Sequence, residues 1–159
     1  MSVFKPDLSL KRFSQLDTNE LVKRNIRLLL LDFDNTIVPL GSPYLGVKEV
    51  RKIRELKEKG IDVVILSNNK RSRIAPFARR LGVEYVPFAL KPFLHQYLRI
   101  LKKKNCRPEE TAALGDQLLT DIIGANSLGI FTIYCEPIGT KEEFGTVVLR
   151  RFEEIFLKK

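Results

Sequence analysis

Two carboxylates stand two residues apart in Asp32-Phe33-Asp34-Asn35-Thr36, directly after the apolar stretch RLLLLD of residues 27–32. A carboxylate is a competent covalent nucleophile toward a phosphoryl group, which makes Asp32 the candidate nucleophile. Residues i and i+2 of an extended chain project to the same side. Asp34 is therefore placed to protonate a departing alkoxide and then to take a proton from an attacking water. Phosphoryl transfer depends mostly on positioning and on positive charge laid against the transferring group. Lys91, just before Pro92, is the candidate for that charge, and Ser67 and Asn68 offer donors for phosphate oxygens.

Asp116 and Asp121, in GDQLLTD, complete the acidic set. Asp32, Asp34, Asp116 and Asp121 in one crevice would repel each other unless a cation joined them. A hard, oxygen-loving ion such as Mg²⁺ suits such a set, because it keeps waters and accepts substrate phosphate oxygens as ligands.

The elements that must position these residues are legible in the hydrophobic pattern. Residues 27–32, 61–67, 83–86, 111–116 and 130–135 read as short strands, several of them apolar throughout, as a parallel sheet buried on both faces requires. Between them, Val47, Val50, Ile53 and Leu56 mark one helix and Ile74, Phe77, Ala78 and Leu81 a second, with Pro76 expected in its first turn. Phe93, Tyr97 and Ile100 mark a third, and residues 120–128 a fourth. Alternation of this kind predicts an α/β doubly wound, Rossmann-like parallel sheet of about five strands in the order 3-2-1-4-5. That order sets the first and fourth strands side by side, so Asp32 and Asp116 meet at the switch point where ligands bind. One domain over residues 1–159 is expected. Residues 1–26 form an extension packed on the core through Phe4, Leu8, Leu10 and Phe13, and residues 138–159 a C-terminal segment. That segment ends in an amphipathic helix carrying Phe152 and Phe156.

At 159 residues and 44% hydrophobic content, the chain can bury a core without disulfides. Cys106 and Cys135 fit no CxxC pattern and read as reduced thiols, consistent with a cytoplasmic protein that is at most peripheral to a membrane. The net charge of +9 favours anionic partners: a phosphorylated substrate or an anionic membrane surface. No aromatic–basic recognition motif accompanies the charge, which argues against nucleic acid. His95 reads as structural or surface, the cluster Lys102, Lys103, Lys104 and Arg107 as a solvated helix end. Lys70, Arg71 and Arg73 are read either as a greeting for an anionic substrate or as simple solvation.

The set resembles the haloacid dehalogenase superfamily of phosphatases. DxDxT corresponds to residues 32–36, the second motif to Ser67 in LSNN, the third to Lys91 in LKP and the fourth to Gly115-Asp116 with Asp121. The resemblance implies that Asp32 is nucleophile and metal ligand, and that Asp34 is the acid/base and binds metal through its backbone carbonyl. It further implies that Ser67 and Lys91 hold the phosphoryl group and that Asp116 binds the metal, with Asp121 in support. FKPDLSLKRFSQLD, DFDNTIVP, SNN, KP and GDQLLTDIIGAN narrow the resemblance to the YqeG branch, related to phosphatidylglycerophosphate phosphatases, and imply a lipid phosphate substrate.

Only 30 residues separate Thr36 from Ser67 and 23 separate Ser67 from Lys91, which leaves no room for a substantial cap. An open crevice suits a large substrate or a headgroup at a surface; a partner subunit of a homo-oligomer is another way to cover it. Three other readings share parts of the pattern: a phosphatase of a soluble ester (sugar phosphate, nucleotide or phosphoprotein), a receiver-like phospho-switch, and a scaffold that uses the basic surface.

Overall fold

A computed structural model describes residues 2–139. The chain runs β1 (Leu8–Leu10), α1 (Thr18–Lys23), β2 (Leu28–Leu31), α2 (Val47–Glu58), β3 (Asp62–Leu66), α3 (Arg71–Leu81), β4 (Glu84–Val86), α4 (His95–Lys104), β5 (Thr111–Gly115), α5 (Ile123–Ser127) and β6 (Phe131–Cys135). All pairings are parallel, and the sheet order is β1-β6-β5-β2-β3-β4.

The five expected strands keep their expected order, and the sheet gains a sixth at the β6 edge. β1 has only three residues, too few to show a period, and its place is set by long-range pairing of Leu8 with Ile133 and Leu10 with Cys135. Asp7 secures it: its backbone N–H donates to the Thr132 carbonyl at 3.0 Å, and its Oδ2 accepts from the Thr132 N–H at 2.8 Å.

The four leucines of β2 are all buried, and they divide between two cores because strand residues alternate in facing. Leu29 and Leu31 pack with Ile53 and Leu56 of α2 and with Ile74 and Phe77 of α3. Leu28 and Leu30 pack with Tyr97, Ile100 and Leu101 of α4 and with Ala125 of α5. The N-terminal segment joins the first core through Phe13, Leu16 and Leu21, whereas Phe4 is 66% exposed and takes no part in it.

Two helix expectations are corrected. Pro76 lies inside α3, not in its first turn, because the helix already starts at Arg71. Pro76 is on the exposed face, so the Ser72 carbonyl it leaves unpaired is solvated. Phe93 precedes α4 and is 59% exposed. The expected helix of residues 148–159, with Phe152 and Phe156, lies outside the described residues. Cys106 and Cys135 are free thiols. No helix of the described residues is long and apolar enough to cross a membrane. The β2–β3 and β3–β4 connections hold only loops, α2 and α3, so no large cap interrupts them.

Candidate active site

β2 lies between β3 and β5, with Leu31 registered to Leu114, and the Asp32 N–H donates to the Leu114 carbonyl at 2.9 Å. Asp32 and Asp116 therefore leave adjacent strand ends on the same edge. After Asp32 the chain turns at once. Phe33 is fully buried, with its ring centroid 4.9 Å from that of Phe77, and its carbonyl accepts from the N–H groups of Thr36 and Ile37. Asn35 adopts φ 61, a left-handed conformation that asparagine tolerates, and its Oδ1 accepts from Leu40 N–H at 2.9 Å.

Asp32, Asp116 and Asp121 bring carboxylate oxygens within 4.8 Å of one another. The Lys91 ammonium donates to Asp32 Oδ1 at 2.7 Å and to Asp121 Oδ1. Thr36 Oγ1 lies between Asp32 Oδ2 (2.9 Å) and Asp116 Oδ1 (3.1 Å). Asp116 Oδ2 is buried without a partner.

Burial pushes Asp116 up to about 10, reinforced by the charges of Asp32 and Asp121. Burial and the Asp32 charge raise Asp121 to about 6 against the opposing pull of Lys91. Burial also works against ionised Asp32, but the Lys91 ammonium and hydrogen bonds from Asp116, Lys91 and Thr36 more than offset it, so its carboxyl falls below its ordinary value. For Lys91, burial disfavours the charge, while Asp121 and Asp32 outweigh it and shift the group upward. One ammonium thus faces three carboxyls, one of which is held neutral and has an orphaned oxygen. This donor set fits a divalent cation: all ligand atoms are hard oxygens, and a cation would give Asp116 Oδ2 the partner it lacks.

The backbone is cut to admit Asp121. A Cβ on Gly115 would lie 2.3 Å from Asp121 Oδ2, so only glycine lets the carboxylate reach back over the β5 end. The same Oδ2 accepts from the Gln117 N–H at 3.0 Å, closing a wide turn at Leu118–Ile122 that leads into α5.

The β3 end supplies Ser67, which is buried. Its Oγ accepts from Asn69 N–H at 3.1 Å, which leaves its own proton free to donate. Asn68 lines the crevice, and its side chain clasps the Lys91 backbone, accepting from Lys91 N–H at 2.7 Å and donating to the Lys91 carbonyl at 3.1 Å. Asn68 therefore sets the height of the lysine.

Asp34 stands apart from the acidic trio. Its Oδ1 accepts from both Nε and Nη2 of Arg73 at 3.1 Å, and its Oδ2 from Asn69 Nδ2 at 2.7 Å. Arg73 is itself fixed by the carbonyls of Ser42 and Pro39 and by the faces of Phe33 and Phe77, each 5.1 Å from its guanidinium. Of the three basic residues after Ser67, Arg73 is therefore a site residue through Asp34. Arg71 bonds Tyr85 Oη at 2.9 Å, and Lys70 is exposed. His95 is exposed on α4. Asn69, Gln117 and Thr120 were not singled out from sequence, yet they line the crevice with Asp32, Asp34, Ser67, Asn68 and Lys91. The second asparagine of SNN was the available signal for Asn69.

Residues 1–139 match the family model described as mitochondrial PGP phosphatase. The chain is 32% identical to a probable phosphatase, YqeG, of Bacillus subtilis over 97% of this chain and 90% of that protein. It is 24% identical to the chloroplastic/mitochondrial phosphatidylglycerophosphate phosphatase 1 of Arabidopsis thaliana over 97% of this chain, which spans 47% of the plant protein. Its fold is similar to that of a 3-deoxy-D-manno-octulosonate 8-phosphate phosphatase from Moraxella catarrhalis, solved with a magnesium ion, a phosphate ion and KDO. That match has a TM-score of 0.55 at 17% identity, over 84% of this chain and 92% of that one. With the acidic trio, the lysine and the parallel sheet in place, the chain belongs to the PGP phosphatase family and is a phosphatase, with a fold similar to that of a solved HAD superfamily hydrolase from Legionella pneumophila (TM-score 0.58 at 19% identity, over 79% of this chain and 75% of that one).

Proposed function

We propose that this phosphatase hydrolyses phosphate monoesters with Mg²⁺ through an aspartyl-phosphate on Asp32, and that phosphatidylglycerophosphate is its leading substrate. The observation that carries the reading is the convergence of Asp32, Asp116 and Asp121 beside one buried lysine. The family match and the plant relative support the lipid substrate.

Asp32, Asp116 and Asp121 would hold the ion, with the Asp34 backbone carbonyl. When bound, Mg²⁺ supplies charge that neutralises the acids and stabilises the transferring phosphoryl group. An oxygen of Asp32 attacks phosphorus, and the bond from phosphorus to the alcohol oxygen breaks. Asp34, a carboxylate paired with Arg73 in this structure, first takes up a proton from solvent, gives it to the departing alkoxide and returns to the carboxylate. That carboxylate then takes a proton from a water whose oxygen attacks the acyl phosphate, and the phosphorus–oxygen bond to Asp32 breaks, releasing phosphate. Lys91 and the free Ser67 proton hold the phosphoryl oxygens throughout. Arg73 and Asn69 keep Asp34 in one orientation for both proton transfers.

The test is phosphate release from mixed micelles of phosphatidylglycerophosphate with Mg²⁺, beside a panel of soluble esters, for wild type and Asp32→Asn. Lipid hydrolysis abolished by the substitution and by chelator is expected. Turnover of soluble esters alone would keep the mechanism and remove the lipid. A folded protein inert on everything would overturn the reading.

A further inference from the structure

Six of the eleven exposed large hydrophobic side chains among the described residues share one edge of the molecule: Leu40, Tyr44, Phe88, Leu90, Phe93 and Leu118. They stand on the loops that follow β2, β4 and β5, the same loops that carry Asp32, Lys91 and Asp116. Their exposure is high, from 45% at Leu118 to 80% at Tyr44.

Charge on the loop segments that carry these side chains is one-sided; the acids of the same edge include Asp32, Asp34 and Asp116 in the crevice and Glu136 after β6. Residues 39–45, 67–71, 87–94 and 117–120 contain Lys70, Arg71 and Lys91 and no aspartate or glutamate. Lys70 and Arg71 are exposed, while Lys91 is buried in the site.

The outward apolar side chains are also held there by strained backbone. Phe88 and Leu90 have φ 48 and φ 56, a left-handed conformation that is an outlier for bulky residues. The loop is pinned to the site by Phe88 N–H to the Asn69 carbonyl at 3.0 Å, Ala89 N–H to the Ser67 carbonyl at 2.9 Å and the Asn68 clasp on Lys91. It cannot fold its hydrophobic side chains inward without dismantling the phosphate-binding corner.

We propose that this rim is a docking surface for an anionic lipid bilayer. The apolar side chains enter the interface and Lys70 and Arg71 pair with headgroup phosphates, so that the crevice opens directly onto the membrane plane. Apolar insertion combined with attraction to anionic lipid is the pattern of an interfacial protein. A two-fold contact between copies is the poorer match, because it would set Lys70 and Arg71 of one copy near those of the other with no acid on those loop segments to lie between them. The proposal rests on the lipid-phosphatase reading of the same site.

The test uses the full chain and vesicles without substrate, phosphatidylcholine with or without phosphatidylglycerol, so that docking is read independently of turnover. Co-sedimentation with the anionic vesicles is expected for wild type and for Asp32→Asn. The triple substitution Phe88→Ser, Leu90→Ser, Phe93→Ser should weaken it by roughly tenfold or more while leaving hydrolysis of p-nitrophenyl phosphate within about twofold. If the triple variant misfolds, Leu40→Ser with Tyr44→Ser on the opposite wall gives the same readout. The chain has no tryptophan, so Phe88→Trp provides a single fluorophore whose emission should shift to the blue on anionic vesicles. Wild type that ignores vesicles, or rim variants that bind as wild type does, would overturn the proposal. So would rim variants that change only the oligomeric state in sedimentation velocity, which would assign the rim to a second copy. Vesicle binding through the rim without hydrolysis of phosphatidylglycerophosphate would remove the substrate and leave the docking surface standing.

Discussion

Arg73 and Asp34 form an ion pair in which two guanidinium nitrogens share one carboxylate oxygen, Oδ1, at 3.1 Å. The arginine is in turn immobilised by two backbone carbonyls and two aromatic faces. Under the proposed mechanism, Arg73→Ala should lower kcat on p-nitrophenyl phosphate by about ten- to a hundredfold with little change in KM, because it frees Asp34 without touching Ser67 or Lys91. Arg73→Lys, which keeps the charge and loses the planar fork, should recover part of the loss. Steady-state kinetics across pH checks this: a purely structural arginine would leave the pH profile of the surviving activity unmoved.

Lys91 is ion-paired with both Asp32 and Asp121. Lys91→Met should reduce kcat/KM by at least about a hundredfold, since the transferring phosphoryl group loses its cation. Isothermal titration with inorganic phosphate in the presence of Mg²⁺ should show the matching loss of phosphate affinity.

Gly115→Ala places a methyl group 2.3 Å from Asp121 Oδ2. The carboxylate must move, and Mg²⁺ affinity should fall about ten- to a hundredfold. The circular dichroism spectrum should be unchanged. Undiminished metal affinity would mean that Asp121 does not contribute to the cation site.

The metal-free protein should lose stability as pH rises. A carboxyl raised in the folded state carries no penalty below its unfolded value of 3.8. Its penalty grows from there up to the folded value, about 6 for Asp121 and about 10 for Asp116. Asp32 is lowered, so it acts the other way and only below 3.8. Added Mg²⁺ competes with the protons on Asp116 and Asp121. The rise in Tm that it produces should be larger at about pH 8 than at about pH 6. Differential scanning fluorimetry with and without chelator reads this directly.

Asp7→Ala removes the acceptor for the Thr132 N–H, while the Thr132 hydroxyl keeps Asn126 Oδ1 at 2.7 Å. It should cost about 1–3 kcal/mol in urea denaturation, with no effect on Mg²⁺ affinity, because β1 lies at the sheet edge beyond β6.

Asp32 and Asp116 were legible as neighbours because both end apolar strands and the alternating pattern admits few sheet orders. Of the two lysines followed by proline, Lys5 and Lys91, only Lys91 comes after a strand, which made it legible. Arg73 was only half legible. It is the third of three similar bases, and its partner lies 39 residues away, so only the folded α3 distinguishes it from Lys70 and Arg71. Asn68 showed its amide in the sequence but not its direction, which depends on where the Lys91 backbone passes. β1 was invisible for a different reason: a three-residue strand has no periodicity, and its identity comes from pairing across 125 positions.

That pairing orders events in time. Among the described residues β1 is the first strand in the sequence and its partner β6 the last, and the other four strands lie between them in the chain. During synthesis, Leu8–Leu10 has no edge to join until residue 135 has left the ribosome and β6 has added to β5. The central strands β2, β3 and β5 can assemble earlier, since each lies nearer in sequence to its neighbours. Closure of the β1–β6 edge has the largest sequence separation of the sheet pairings, and we expect it to be the slow step of folding. In refolding experiments, protection of the β1 amides from hydrogen exchange should be the last to appear.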